Sequence, residues 1–160
     1  MVKSKNRSAI PKIGEGVRGE QGHLGYLLRQ ATHAHRQRLE RTLAVLDVTV
    51  PQFSVLTMLH AYPGASNAEV ARLSLLTPQT VSLIVSNLER AKAIVRQPHE
   101  EHGRIVQLGL TDSGRRLLQA CRERVITVER ALLVGLSKAD EAVVRVWLVR
   151  AALPAGSADV

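Results

Sequence analysis

"TPQTVSLIVSNLERAKAIVRQPHEEHGRIVQLGLTDSG", residues 77–114, changes its periodicity midway, and that change decides the fold. As far as Arg90 the apolar residues Val81, Ile84, Val85 and Leu88 recur at helical spacing, which gives a helix one apolar face. Thr77 stands where an N-cap hydroxyl is useful, and Pro78 occupies the first helical position, where its missing N–H is no loss. Gln79, Thr80, Ser82, Leu83 and Ser86 lie elsewhere on the surface of that helix. Beyond Ala93 the stretches "IVRQP" and "RIVQLGL" predict strands, with Val106, Leu108 and Leu110 sharing one face. His99 to Gly103 between them is then a hairpin loop, and Thr111 starts another helix.

Upstream, Ser66 followed three residues later by Glu69 is a capping box, in which hydroxyl and carboxylate each satisfy a backbone N–H. It opens a short helix from Asn67 to about Ser74, joined to the next helix by the tight connection "SLL", 74–76. Before it, Thr49 and Pro51 start a helix that runs to about Ala61 and stops at Pro63-Gly64. A long first helix spans Leu24 to about Leu46, with Leu24, Leu27, Leu28, Leu39 and Leu43 mostly at helical spacing and Arg29, Arg36, Arg38 and Arg41 on other faces. Residues 1–22 are rich in glycine and charge and lack periodicity, as expected of a mobile basic arm. Downstream, Leu118, Cys121, Val125, Val128 and Leu132 repeat at spacings of 3, 4, 3 and 4, a heptad stripe that seeks another helix. Ser137 caps a last helix, which carries Trp147 and ends before Pro154.

The net charge of +8 over 160 residues points toward a polyanion, nucleic acid rather than membrane. No apolar run approaches the roughly 18 residues of a membrane helix, and residues 1–22 lack a signal-peptide core. One cysteine excludes an internal disulfide framework, which fits a reducing cytoplasm. With aromatics at 2%, the core must rest on Leu, Val, Ile and Ala. No nucleophile–base pair, phosphate loop or metal set stands out, so neither catalysis nor a cofactor is expected.

Two short helices joined tightly place the second where its first turn enters a major groove roughly 12 Å wide. The hairpin beside them is a wing able to set a cation on the backbone or in the minor groove. At these residues the chain resembles the MarR family of winged-helix transcriptional regulators, from about Leu24 to Leu153, most specifically over 77–114 and in "VPQFSVLTMLH", 50–60. The resemblance implies a mostly helical fold with a small β-hairpin wing: one domain over 23–153, with a winged helix at about 50–110 and dimerisation helices at about 23–46 and 112–153, followed by a tail at 154–160. It also implies a homodimer on a pseudo-palindrome and a small aromatic or anionic effector that weakens DNA binding.

Departures from the family pattern are specific. Its wing tip usually carries aspartates where this chain has His99 and His102, and a basic residue where it has Gly103. An arginine commonly follows the Val-Ser pair of the recognition helix; here that residue is Leu83, so a bidentate Arg–guanine contact is lost. Candidate DNA contacts are Thr77, Gln79, Thr80, Ser82, Ser86, Arg90, Arg96, His102 and Arg104, with Lys92 beside them. His99 and His102, three apart, lack the i, i+4 spacing and partner ligands of a zinc site and read as a wing tip. Cys121 sits in the apolar stripe and reads as a packing residue rather than a redox sensor. His33, His35, Arg36, His60 and Arg115 are candidates for an effector pocket; Leu24, Leu27, Leu28, Leu118, Cys121, Val125, Val128, Leu132 and Trp147 are candidates for the dimer interface. The expected function is a cytoplasmic, ligand-responsive repressor. The rival is a helical dimer that binds ligands or proteins while its winged helix is inactive, a reading that Leu83 and Gly103 keep open.

Overall fold

A computed structural model describes residues 10–98 and 106–154. Helix α1 runs Leu24–Leu43 and tightens into a 3-10 turn, Ala44–Leu46, before α2 at Val50–Ala61. Then come α3 (Asn67–Leu73), α4 (Pro78–Arg90), strands β1 (Ile94–Pro98) and β2 (Val106–Leu110), α5 (Asp112–Leu132) and α6 (Lys138–Ala152). Each helix from α2 onward starts at the hydroxyl its sequence offers. Thr49, Ser66 and Ser137 form reciprocal capping boxes with Gln52, Glu69 and Asp140, while Thr77 and Thr111 accept from the N–H groups of Thr80 and Gly114.

The helix ends follow an equally local rule. The 3-10 turn, α3 and α4 all close through left-handed residues that are not glycine: Asp47 (φ 53°), Leu75 (φ 55°) and Lys92 (φ 59°). After α3 the amides of Leu76 and Leu75 donate to the carbonyls of Ala71 and Arg72. After α4 those of Ala93 and Lys92 donate to Leu88 and Glu89. These are Schellman turns, which satisfy the last carbonyls and reverse the chain sharply. They make the connections from α3 to α4 and from α4 to the wing short.

Two apolar clusters organise the chain. In the first, Val55, Leu56 and Leu59 of α2 meet Val70 of α3, Val81, Val85 and Leu88 of α4, and Leu108 of β2, all nearly or fully buried. In the second, Leu39 and Leu43 of α1 and Val48 meet Cys121, Val125 and Val128 of α5. Phe53 and Leu117 pack against both and join them. The wing is antiparallel, with Ile94 opposite Leu110 and Pro98 opposite Val106. Gly64 donates to the carbonyl of Leu108 at 3.2 Å, and the Leu108 amide donates to Ala65 at 3.1 Å, so the turn after α2 grips β2 as a third strand would. Of the predicted face Val106–Leu108–Leu110, only Leu108 is fully buried. Val106 is exposed, since β2 reaches out beyond the helices at that end.

The structure adds detail to two expectations. The heptad stripe does seek a helix: Cys121, Val125 and Val128 find α1 of the same chain, and Leu118 enters the winged-helix core, so all four are buried within the chain itself. Of the expected mobile basic arm, 1–22, the described residues 10–22 contain a 3-10 turn, Gly16–Arg18, tied by Arg18 donating to the Pro11 carbonyl (2.7 Å) and by Gln30 of α1 donating to the Arg18 carbonyl (3.1 Å). Helix α6 buries none of its residues within the chain. No single helix among the described residues is long and apolar enough to cross a membrane.

Candidate nucleic-acid interface

Helix α4 is the second helix of the helix-turn-helix, and its sequence sorts its side chains cleanly. Val81, Ile84, Val85 and Leu88 are buried, whereas Gln79, Thr80, Ser82, Leu83, Ser86 and Arg90 are exposed. A polar residue missed in the sequence fixes this orientation. Asn67, first in α3, donates through Nδ2 to the Ser82 hydroxyl at 3.1 Å and to the Pro78 carbonyl at 3.3 Å. No local signal announces it, because the contact exists only once α3 and α4 cross.

The candidate polar groups are not equally available. Thr80 and Thr77 share a hydroxyl–hydroxyl bond of 2.8 Å at the start of the helix. Ser82 already accepts from Asn67. The side chains of Gln79 and Ser86 are exposed and make no hydrogen bond to another described residue. Arg90 donates to Asn87 at 3.1 Å, an exposed arrangement that a phosphate can displace. Arg96 on β1 is paired with Glu89 of α4 at 2.9 Å, with both side chains about two-fifths exposed. The pair joins the wing to the recognition helix and neutralises the cation expected to meet a phosphate. His102 and Arg104, with His99 and Gly103, lie outside the described residues.

The base of the wing is held by Thr111 and Arg115. The Thr111 hydroxyl donates to the Lys92 carbonyl (2.6 Å) and accepts from Gly114 (3.0 Å), and its amide donates to Ala93 at 3.1 Å. A Cβ on Gly114 would stand 2.0 Å from the Ala93 carbonyl oxygen, so this close approach of α5 to the start of the wing requires glycine. Arg115 donates to the Leu110 carbonyl (2.7 Å) and to Asp112 (2.6 Å). That guanidinium, through its bond and charge, holds the Asp112 carboxyl below its ordinary value.

The five effector candidates are not brought together. Arg115 clamps the wing, Arg36 pairs with Glu40 (2.8 Å), and His33 bonds Gln37 (3.0 Å). His35 approaches Glu129 of α5 at 3.6 Å, and His60 is exposed at the end of α2. They share no partner, because spacing along a helix says nothing about which elements converge. Cys121 is fully buried; burial pushes its thiol up, against a smaller opposing pull from Arg124, so the reactive thiolate is disfavoured. Among the described residues no group of His, Cys, Asp and Glu is arranged to hold a metal.

Apolar surface is concentrated elsewhere. Helix α6 exposes Val143, Val146, Trp147 and Val149, and its cleft with the end of α5 is lined by Ile126, Leu133, Leu136, Val144 and Leu148. Of the interface candidates, Leu24, Leu28, Leu132 and Trp147 are exposed and Leu27 is half-buried.

Residues 46–105 match the MarR family. An HTH-type transcriptional repressor of Mycobacterium tuberculosis is 34% identical over 114 residues, which cover 71% of this chain and 82% of that protein. Among solved structures, MepR of S. aureus in its DNA complex superposes with a TM-score of 0.73 at 28% identity, covering 82% of this chain and 95% of that one. PcaV of Streptomyces coelicolor, solved with its natural ligand, gives 0.69 at 28% identity over 82% and 92%. Its helix-turn-helix, the hairpin packed beside α4 and these likenesses make the chain a member of the MarR family of winged-helix transcriptional regulators.

Proposed function

We propose that the chain is a cytoplasmic, homodimeric repressor that binds a pseudo-palindromic operator through α4 and the wing and releases it when a small effector binds. The observation that carries the reading is the divided surface of α4: an apolar face sealed into the core and an opposite face offering Gln79, Leu83 and Ser86, with Arg90 at its end. The +8 charge favours a polyanion, and the MepR structure holds DNA.

Dimerisation rests on α6. A 15-residue helix that buries nothing and exposes Val143, Val146, Trp147 and Val149 leaves apolar area in water that a second copy would cover. Leu24 and Leu28 at the start of α1 and Leu132 at the end of α5 are further exposed leucines that the same contact could cover. Two-fold symmetry sets the half-sites about 10 bp apart, one turn of the duplex.

Effector control is supported by the likeness to PcaV, whose structure includes its natural ligand. An effector acts only if it binds the DNA-incompetent arrangement better than the competent one. A small aromatic carboxylate suits a chain this rich in arginine. The test is a mobility shift with the DNA upstream of the protein's own gene, repeated with a panel of such acids. The reading predicts a discrete complex that at least one acid dissolves; no complex at any protein concentration rejects it.

A further inference from the structure

We propose that Leu83 is a specificity-determining residue that selects a thymine by its C5-methyl group in each half-site, an inference that rests on the DNA-binding reading above. Leu83 is 64% exposed. An exposed leucine alone is ordinary; its position is what distinguishes it. At about 100° per residue, Gln79, Ser82, Leu83 and Ser86 fall within one arc of α4, opposite the buried Val81, Ile84, Val85 and Leu88. Leu83 therefore enters any groove that Gln79 and Ser86 enter. Two polar readers around it are partly engaged, since Ser82 accepts from Asn67 and Thr80 shares a hydroxyl bond with Thr77.

The chemistry leaves one favourable partner. Base edges in the major groove present hydrogen-bond donors and acceptors, and a single apolar group, the thymine methyl. Against the polar edges of guanine or cytosine, a leucine strips water from groups it cannot repay with a hydrogen bond. Against thymine it buries methyl on methyl. A leucine at this position thus acts in two ways: it attracts T and penalises a G·C pair at the same step.

The experiment begins with selection of bound duplexes from a random pool by the intact protein. Each thymine of the selected site is then replaced by deoxyuridine, which removes the methyl and preserves pairing. Affinities are measured for wild type and Leu83→Ala, whose fold is checked by melting. The proposal expects one thymine per half-site at which deoxyuridine weakens wild type about fourfold, or about 15-fold when both half-sites are changed. Leu83→Ala should bind the two duplexes equally. A selected operator at which wild type ignores every deoxyuridine, or at which Leu83→Ala stays as sensitive as wild type, overturns the role of Leu83 and leaves DNA binding standing. A pool that yields no enriched sequence overturns the DNA reading, and this inference with it.

Discussion

Leu75 holds a left-handed backbone with its side chain 92% exposed, so the turn between α3 and α4 bears strain without packing in return. That conformation costs a non-glycine residue about 1–2 kcal/mol, and glycine's greater unfolded-state entropy offsets roughly 0.5–1 of it. Leu75→Gly should therefore stabilise the protein by about 0.5–1 kcal/mol, read as a rise in denaturation midpoint; a fall would mean the leucine makes a contact that matters. Gly114 is the opposite case. Gly114→Ala drives a methyl into the Ala93 carbonyl and should destabilise by about 1–3 kcal/mol. The cap of α3 adds a pH dependence. Hydrogen bonds from the Ser66 amide and hydroxyl hold the Glu69 carboxyl below its ordinary value. A depressed carboxyl contributes stability above the unfolded-state value, about 4, and that contribution is lost as pH falls through the folded value. Glu69→Gln keeps the capping geometry without the titration, so its melting temperature should fall less steeply than wild type below pH 5. Parallel curves would show that Glu69 adds no pH dependence.

Helices α5 and α6 show where sequence reading succeeds and where it stops. Caps and periods are local, so Thr49, Ser66, Thr77, Thr111 and Ser137 mark the helix starts directly, and "IVRQP" marks a strand. The stripe on α5 is equally visible, yet a heptad pattern records only that a helix covers it, not whose. Here α1 does, through Leu39 and Leu43. The two helices therefore predict different mutant behaviour. Val125→Asp places a charge in a sealed core and should unfold the chain. Val146→Asp, on a helix with no buried residue, should leave the fold intact by circular dichroism and shift sedimentation to the monomer. A dimeric Val146→Asp would move the interface away from α6. The Arg96–Glu89 pair is illegible in the sequence for another reason: it forms only after the hairpin folds back on α4. Glu89 holds the guanidinium that the proposed function assigns to a phosphate, so Glu89→Gln should tighten DNA binding. Arg96→Ala should weaken it and reduce the salt slope by about 0.9 for each phosphate left without its cation. An unchanged slope would take Arg96 off the phosphate backbone.

Across the whole molecule, a helix-turn-helix held by α2, a wing clamped by Thr111 and Arg115, and an unburied α6 are parts of one device. Two copies joined through α6 would present two α4 helices to successive major grooves. The family pattern makes the winged helix visible from residues 77–114. An effector site is not legible in the same way, because chemistry alone groups His33, His35, Arg36, His60 and Arg115 while the fold engages them separately. The proposed function depends on sequence-specific binding of a duplex by a dimer. Fluorescence anisotropy of the purified protein with its own upstream DNA and with a scrambled duplex of equal composition, at about 0.15 M salt, decides the matter. Specific sites of this kind bind about 10³-fold or more tighter than random DNA. A gap of that order is expected, with two protomers per duplex at saturation; equal affinity for both duplexes would refute sequence-specific recognition.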